Sequence, residues 1–211
     1  MKLQLALDEF TLADALEFAR PLADLVDLIE IGTPLVIGAG MRAVREFAAA
    51  FPTVELLSDE KIMDGGYVEA RLGYDAGAEY VTVLGVTDIL TIKGCLRAAE
   101  DTGKQLVVDM ICVDDIPARI SELEELGVHV LAVHTGADQQ AAGRTALDDL
   151  ALMKQHAAKA KVAVAGGITS ATVADYVALR PDIVIVGSGI TKAADPVAEA
   201  KAIRAAMEAA R

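Results

Sequence analysis

The sequence contains few aromatic residues and few cysteines. Among 211 residues there are four Tyr, four Phe and no Trp, while hydrophobic residues make up 54% of the chain. A core of this composition must be built from aliphatic side chains, which favours close packing of helices on a sheet over an aromatic-rich sandwich. The two cysteines, Cys95 and Cys112, lack the spacing of a metal site or a CxxC motif. We therefore expect two buried, reduced thiols.

Basic residues are also scarce, because 19 Lys and Arg stand against 32 Asp and Glu, for a formal charge of −13. A field of this sign repels phosphate backbones, so we expect no nucleic-acid binding. No apolar run approaches the roughly 20 residues that a membrane span needs. The amino-terminal apolar run is broken by Asp8 and is too short for a signal peptide. We expect a cytoplasmic protein that does not enter membranes.

Eight short runs rich in Val, Ile and Leu recur at fairly even spacing, and they are mostly continuous rather than alternating, as in parallel strands buried on both faces. They occupy residues 3–7, 26–31, 54–57, 80–84, 105–110, 129–133, 162–165 and 183–186. Segments with helical periodicity lie between them. The sequence therefore predicts an α/β fold, a single (β/α)8 TIM barrel in one domain over residues 1–211. The alternative, a doubly wound sheet, would carry a glycine-rich fingerprint after the first strand, and "LALDEFTLAD" has none.

The residues at the carboxyl ends of the strands indicate where the site lies, since barrels of this kind place their catalytic groups there. Strand 4 ends apolar, but five other strands end in ionisable groups, namely Asp8, Glu30, Asp59 with Lys61, Asp109 and His134. A charged loop start would explain any one of them, but it explains the set poorly. We interpret the set as a functional site.

Two glycine-containing turns follow strands 7 and 8, in "VAVAGGIT" and "VIVGSGIT". Glycine lets the backbone approach a phosphate closely, and N–H groups at a helix start can bind it. The two turns predict a phosphate site at the position where barrels frequently have one.

The carboxylates at the strand ends would repel one another and a phosphorylated substrate. A divalent cation would remove this repulsion, and Mg²⁺ commonly binds one or two carboxylates together with substrate oxygens. Glu30 and Asp59, on neighbouring strand ends, are the candidate ligands. A metal and Lys61 beside a substrate carbonyl would stabilise an enediolate, and His134 has a pKa suited to proton transfer.

The run "DEKIMDGG" resembles the signature of the orotidine 5′-monophosphate decarboxylase superfamily, because Asp59, Lys61 and Asp64 have D-x-K-x-x-D spacing. Further matching stretches, among them "LQLALDE", "IEIGTP", "LAVHTGADQQAAG" and "IVIVG", extend the resemblance over residues 3–187. Within the superfamily, the chain is most similar to the 3-hexulose-6-phosphate synthase family.

The resemblance implies a reversible, Mg²⁺-dependent aldol condensation of formaldehyde with D-ribulose 5-phosphate to 3-hexulose 6-phosphate through an enediolate. It also implies a homodimer with shared active sites, in which Asp64 reaches the site of the partner. The implied roles are metal binding for Glu30 and Asp59, enediolate stabilisation for Lys61, acid–base chemistry for His134, and substrate binding for Asp8, Gly167, Gly187 and Ser188. For Asp109, at the end of strand 5, we expect a substrate-binding role in which it orients substrate hydroxyls.

The alternative within the superfamily is 3-keto-L-gulonate 6-phosphate decarboxylase. Its pattern has Glu, Arg and Thr where this chain has Asp109, Ala137 and Ala165, and each departure favours the synthase. An isomerase or epimerase of ribulose phosphate, or a sugar-phosphate-binding protein without catalysis, remains open from the residues alone. Glu60 should point away from the site, because it alternates with Asp59 and Lys61 along the strand, and we expect it to be dispensable.

Overall fold

Eight parallel strands close into a barrel in the computed structural model, which describes residues 1–136, 142–143 and 145–210. Each strand pairs with the next along the chain, and the last pairs with the first. The predicted (β/α)8 barrel is confirmed. The strands are β1 (Lys2–Leu7), β2 (Leu28–Ile31), β3 (Glu55–Ile62), β4 (Tyr80–Leu84), β5 (Gln105–Asp109), β6 (Val130–His134), β7 (Lys161–Ala165) and β8 (Ile183–Val186).

Helices surround the barrel and connect its strands. Those in the described part of the chain are α1 (Leu12–Ala19), α2 (Thr33–Ala39), α3 (Met41–Ala50), α4 (Gly66–Ala76), α5 (Ile89–Thr102), α6 (Ile116–Glu125), α7 (Ala146–His156), α8 (Val173–Ala178), α9 (Ser188–Thr191) and α10 (Pro196–Ala209). None of them is of a length and apolarity that would let it span a membrane.

The strands are buried on both faces, which explains their continuous apolar runs. One large core cluster lies between the strands and the helices, and it includes the buried Cys95. The prediction of two buried cysteines is wrong for Cys112, which is exposed because it lies in the loop between β5 and α6. A second, smaller cluster fills the interior of the barrel and consists of Leu28, Leu57, Tyr80, Val107, Val130, Ala132, Ala163 and Ile183. In four strands the interior apolar residue is followed two positions later by a buried polar one, in the pairs Leu28 and Glu30, Leu57 and Asp59, Tyr80 and Thr82, and Val107 and Asp109. Alternate residues of a strand share a face, so these polar groups lie above the apolar layer, inside the barrel.

Strand β3 differs from its sequence prediction. The apolar run at residues 54–57 predicts a strand that ends before the charged residues, whereas the strand continues to Ile62. Its register with β4 shifts between Ser58 and Ile62, and Lys61 has a left-handed backbone with φ of +48°. The strand extends beyond its apolar run because its charged side chains form hydrogen bonds and ion pairs inside the barrel.

Candidate active site

A cavity of about 770 Å³ opens at the carboxyl ends of the strands. It is lined by nine of the ten predicted site residues, namely Asp8, Glu30, Asp59, Lys61, Asp109, His134, Gly167, Gly187 and Ser188. The closure of the barrel thus brings together groups that are up to 180 positions apart in the sequence, from Asp8 to Ser188.

Asp59 and Lys61 are held by a compact network at the irregular end of β3. The Lys61 ammonium lies 2.7 Å from Asp59 Oδ2, which also accepts a hydrogen bond of 2.6 Å from Thr33 Oγ1. Thr82 Oγ1 donates to Asp59 Oδ1 at 2.8 Å and accepts from the backbone N–H of Lys61 at 2.9 Å. These contacts compensate the left-handed backbone of Lys61, a conformation that is otherwise unfavourable for a residue with a side chain.

Asp109 connects Lys61 with His134. Its Oδ2 lies 3.1 Å from Lys61 Nζ and 2.8 Å from His134 Nδ1, and its Oδ1 accepts from the backbone N–H of Ile111 at 2.9 Å. Burial by itself would raise the pKa of Asp109, but the hydrogen bond and charge of His134 and the charge of Lys61 outweigh it, so the pKa is lowered. Asp109 is therefore a buried, ionised carboxylate. The substrate-binding role predicted for it stays a prediction.

Lys61 carries a firmly held positive charge. Burial would lower the pKa of its ammonium, but the charges of Asp59 and Asp109 outweigh this effect and the pKa is raised. An ammonium that stays charged inside a barrel can stabilise negative charge that develops on a substrate oxygen.

The cavity also contains carboxylates without a matching cation among the contacts described for them. Glu30 Oε2 accepts a hydrogen bond of 2.5 Å from Gln4 Nε2. Burial, followed by the charges of Asp59 and Asp8, raises the pKa of Glu30 well above its usual range. Burial and the charge of Asp59 likewise raise the pKa of Asp8. Mutual repulsion of this kind is the situation that a bound cation relieves.

A metal at this site would need ligands from outside the chain. Within the described residues, no group of three or more His, Cys, Asp or Glu side chains is arranged to hold an ion. Glu30 and Asp59 both line the cavity, and two carboxylates completed by water and substrate oxygens are a donor set that Mg²⁺ accepts. The residues present thus fit a magnesium ion that binds together with substrate.

The glycine turns after β7 and β8 lie at one side of the cavity. Gly167 has φ of +65°, a conformation that favours glycine. A Cβ atom at Gly189, in the short helix α9, would lie 2.0 Å from Ile168 O, so only glycine allows this close approach of the two turns. The turns that were predicted to bind phosphate therefore line the cavity, and their conformation requires glycine at positions 167 and 189.

Several cavity residues were not found from the sequence, namely Gln4, Thr33, Thr82, Thr191 and Lys192. Gln4 and Thr82 are polar residues inside apolar strands, which is a signal that the alternation of β1 and β4 could have revealed. Lys192 lies at the rim, where its Nζ is 3.0 Å from Glu9 Oε2. It follows the glycine turn by a few residues, and no pattern in the sequence distinguishes it from a surface lysine.

Asp64 is the one predicted site residue that does not line the cavity of its own chain, as far as the described residues define it. It is exposed in the loop between β3 and α4, and its Oδ1 accepts from the backbone N–H of Gly65 at 2.7 Å. Of the three positions that the sequence analysis predicts to separate synthase from decarboxylase, Asp109 and Ala165 line the cavity. Ala137 lies outside the described residues.

Residues 1–203 match the family described as Orotidine 5′-phosphate decarboxylase / HUMPS. The chain belongs to this family. The superfamily that the D-x-K-x-x-D motif predicts is thereby confirmed.

Three individual relatives match this chain over nearly its whole length. A 3-hexulose-6-phosphate synthase of Bacillus subtilis (strain 168) is 46% identical over 92% of this chain and 93% of its own length. The crystal structure of a 3-hexulose-6-phosphate synthase from Salmonella typhimurium is 58% identical, covers 100% of both chains and has a TM-score of 0.99. The crystal structure of a 3-keto-L-gulonate-6-phosphate decarboxylase from Vibrio cholerae is 26% identical, covers 100% of this chain and 98% of its own, and has a TM-score of 0.89.

The relatives share one fold. The sequence identity of this chain to the two synthases is roughly twice its identity to the decarboxylase. The names of the relatives indicate that this chain is an enzyme, a lyase that acts on a sugar phosphate.

Proposed function

We propose that this enzyme condenses formaldehyde with D-ribulose 5-phosphate to 3-hexulose 6-phosphate in a reversible, Mg²⁺-dependent aldol reaction. The observation that carries the proposal is the contact of one oxygen, Asp109 Oδ2, with both Lys61 Nζ and His134 Nδ1. It positions a permanent cation and a proton acceptor side by side in the cavity. An aldol reaction through an enediolate needs both groups, one to remove a proton and the other to stabilise the resulting oxyanion.

The residues suggest a sequence of steps. The phosphate of ribulose 5-phosphate binds at the glycine turns, with Gly167, Gly187 and Ser188 supplying backbone contacts. His134 removes a proton from C1, and the electron pair of the C–H bond forms the enediolate, whose negative charge faces Lys61. C1 then attacks the carbon of formaldehyde, so that a C–C bond forms and the π pair of the formaldehyde C=O bond moves onto oxygen. The resulting alkoxide takes up one proton, which balances the proton that His134 removed. Mg²⁺, held by Glu30 and Asp59, would polarise the substrate oxygens as a Lewis acid.

The functional test is the consumption of formaldehyde in the presence of ribulose 5-phosphate and Mg²⁺. We expect formaldehyde and ribulose 5-phosphate to disappear in equal amounts. No loss of formaldehyde, together with release of CO₂ from 3-keto-L-gulonate 6-phosphate, would instead assign the decarboxylase reaction. An isomerase or epimerase would convert ribulose 5-phosphate without consuming formaldehyde.

We further propose that the enzyme acts as a homodimer with shared active sites. Five large apolar residues on α4, α5 and the loops that precede these helices are between 43% and 78% exposed, namely Met63, Val68, Leu72, Val86 and Leu90. Their loops are joined, since Thr87 Oγ1 donates to Met63 O at 2.6 Å, and α4 packs against α5. An apolar surface of this extent favours a protein partner, and a second copy would bring Asp64 to its cavity.

Mixing two inactive variants tests the shared site. Lys61→Met removes a residue from the chain's own cavity, and Asp64→Asn removes the residue predicted to reach the partner. In a mixed dimer one cavity carries both changes and the other carries neither, so we expect activity to return when the two variants are co-expressed. Activity that stays absent in the mixture, although mixed dimers have been isolated, would contradict the shared site.

A further inference from the structure

The two ring nitrogens of a neutral histidine have different roles, because one carries the proton and the other carries the lone pair. A histidine that removes a proton from substrate must direct its lone pair at the substrate. Which nitrogen of His134 carries the proton therefore decides whether this ring can act as the base, and the neighbours of Nδ1 determine it.

Asp109 is a pure acceptor at this position. Its Oδ2 lies 3.1 Å from the Lys61 ammonium, and its Oδ1 takes the hydrogen bond from the N–H of Ile111. Both contacts favour the ionised carboxylate, which has no proton to give. The contact of 2.8 Å between Asp109 Oδ2 and His134 Nδ1 is therefore a hydrogen bond in which Nδ1 donates.

The orientation of the Asp109 side chain is also determined by its surroundings. The residue is 3% exposed, and each of its two oxygens has its own donors. A rotation of the carboxylate would have to break the bond from Ile111 or the contacts with Lys61 and His134. The acceptor that faces His134 is thus a fixed feature of the cavity.

The opposite end of the same strand provides a contrast. His129 directly precedes β6, and its Nδ1 accepts a hydrogen bond of 3.1 Å from the backbone N–H of Leu106. A nitrogen that accepts carries the lone pair, so neutral His129 has its proton on Nε2. The two histidines flanking β6 should therefore be opposite tautomers.

From these contacts we propose that Asp109 is a positioning residue, which holds neutral His134 as the Nδ1–H tautomer and so leaves the lone pair of Nε2 as the base in the cavity. This inference deepens the proposed function and rests on it for the role of the base. It differs from the substrate-binding role predicted for Asp109, because a residue that only binds substrate would leave the tautomer of His134 unaffected.

The test is long-range ¹H–¹⁵N correlation spectroscopy of the full chain with ¹⁵N-labelled histidine, recorded without substrate at a pH where the rings are neutral. Only three histidines are present, and His134→Gln and His129→Gln variants assign two of them. We expect the proton on Nδ1 in His134 and on Nε2 in His129. A proton on Nε2 of His134 in the unmodified protein would overturn the inference.

The variant Asp109→Ala gives a second test of the tautomer. It removes the carboxylate oxygen that accepts from His134 Nδ1 and puts no other polar group in its place. We then expect the tautomer of His134 to switch to Nε2–H, while that of His129 stays unchanged as the internal reference. An unchanged tautomer of His134 in this folded variant would contradict the inference.

Activity gives the second measurement. Exchange of the C1 hydrogen of ribulose 5-phosphate with solvent should fall by about 10²- to 10⁴-fold in Asp109→Ala, since the lone pair of His134 Nε2 is then no longer held toward the substrate. The matched control is Asp101→Ala. It removes a carboxylate that contacts Tyr67 on the outside of the barrel and should leave the exchange unchanged. Undiminished exchange in Asp109→Ala would overturn the positioning role. Since the tautomers are measured without substrate, their outcome is independent of whether the enzyme consumes formaldehyde.

Discussion

The two faces of β3 carry charged residues in opposite surroundings. On the inner face, both carboxylate oxygens of Asp59 have hydrogen-bond partners, and the Lys61 ammonium contacts two carboxylates. On the outer face, neither Ser58 Oγ nor Glu60 Oε1 reaches a hydrogen-bond partner among the described residues. Glu60 lies against α4, where a Cβ atom at Gly73 would be 2.1 Å from its Oε1.

The inner face carries charges that compensate one another, whereas the carboxyl group of Glu60 on the outer face has no compensating cation among its described contacts. The inner residues hold one another in a geometry suited to a reaction, and the pKa of Lys61 is raised by its neighbours. Burial, followed by the charges of Glu69 and Asp59, raises the pKa of Glu60 to about 8. One strand thus combines a site that uses buried charge with a position where an ionised carboxylate would only destabilise the fold.

Removing the inner cation should have the largest effect. We expect Lys61→Met to lower kcat/KM for formaldehyde consumption by at least about 10³-fold, because the oxyanion loses its counter-charge. The control is Lys104→Met, which removes a lysine that pairs with Glu79 at 2.6 Å outside the cavity. If Lys61→Met folds and retains more than a tenth of the activity, the inner face of β3 is not the reaction centre.

A substitution at Glu30 tests whether the excess negative charge in the cavity binds a metal ion. We expect Glu30→Gln to raise the melting temperature of the metal-free protein, since it removes repulsion with Asp59 and Asp8. The same change should lower activity about 10²-fold at a fixed Mg²⁺ concentration, since a metal ligand is lost. Calorimetry with and without Mg²⁺ measures the first effect, and Glu208→Gln on the exposed face of α10 is the control. Full activity with unchanged Mg²⁺ dependence would contradict the ligand role.

Lys192 tests the contribution of the rim. In Lys192→Met we expect the KM for ribulose 5-phosphate to rise about tenfold with a smaller change in kcat, because a phosphate at the glycine turns loses one nearby cation. Glu9→Gln frees Lys192 from its present partner and should lower the KM or leave it unchanged. Steady-state kinetics with both variants measures the effect, and an unchanged KM in Lys192→Met would exclude a contact with phosphate.

Glu60 should show the smallest effect on activity and a distinct effect on stability. We expect Glu60→Gln to keep activity within about threefold, because this side chain faces α4. The raised pKa means that the native protein holds a proton that the unfolded chain has lost, so stability falls as the pH rises from about 4.5 to about 8 and is level above.

Glu60→Gln should remove this slope. The variant should be more stable than the unmodified protein by about 2 kcal/mol at pH 9 and equally stable at pH 4. Thermal unfolding at several pH values measures the difference. An equal loss of stability at both pH values would show that the carboxyl group contributes packing and no uncompensated charge.

Much of the fold follows from the sequence, because the strands of a closed parallel barrel are apolar on both faces. Seven predicted strands agree with the observed ones to within two residues at either end. Strand β3 is the exception, since hydropathy ends at Leu57 while hydrogen bonds to Thr33 and Thr82 extend the strand through its charged residues. Such partners come from other strands and loops, so no local sequence pattern predicts them.

The candidate site could be predicted as a set of residue types but not as a set of contacts. The strand-end rule and the family motif identified Lys61, Asp109 and His134. Neither could show that one oxygen of Asp109 contacts the other two, because these residues are 48 and 25 positions away along the chain. Only the closure of the barrel, with its register between neighbouring strands, brings them together.

The most direct test of the central claim is the exchange of the C1 hydrogen of ribulose 5-phosphate in deuterated water with Mg²⁺ and without formaldehyde. The account predicts that the unmodified enzyme incorporates deuterium at C1, and that Lys61→Met reduces the rate by at least about 10³-fold. An enzyme that consumes formaldehyde without exchanging this hydrogen, or a Lys61→Met variant that exchanges it at the full rate, would contradict an enediolate stabilised by Lys61.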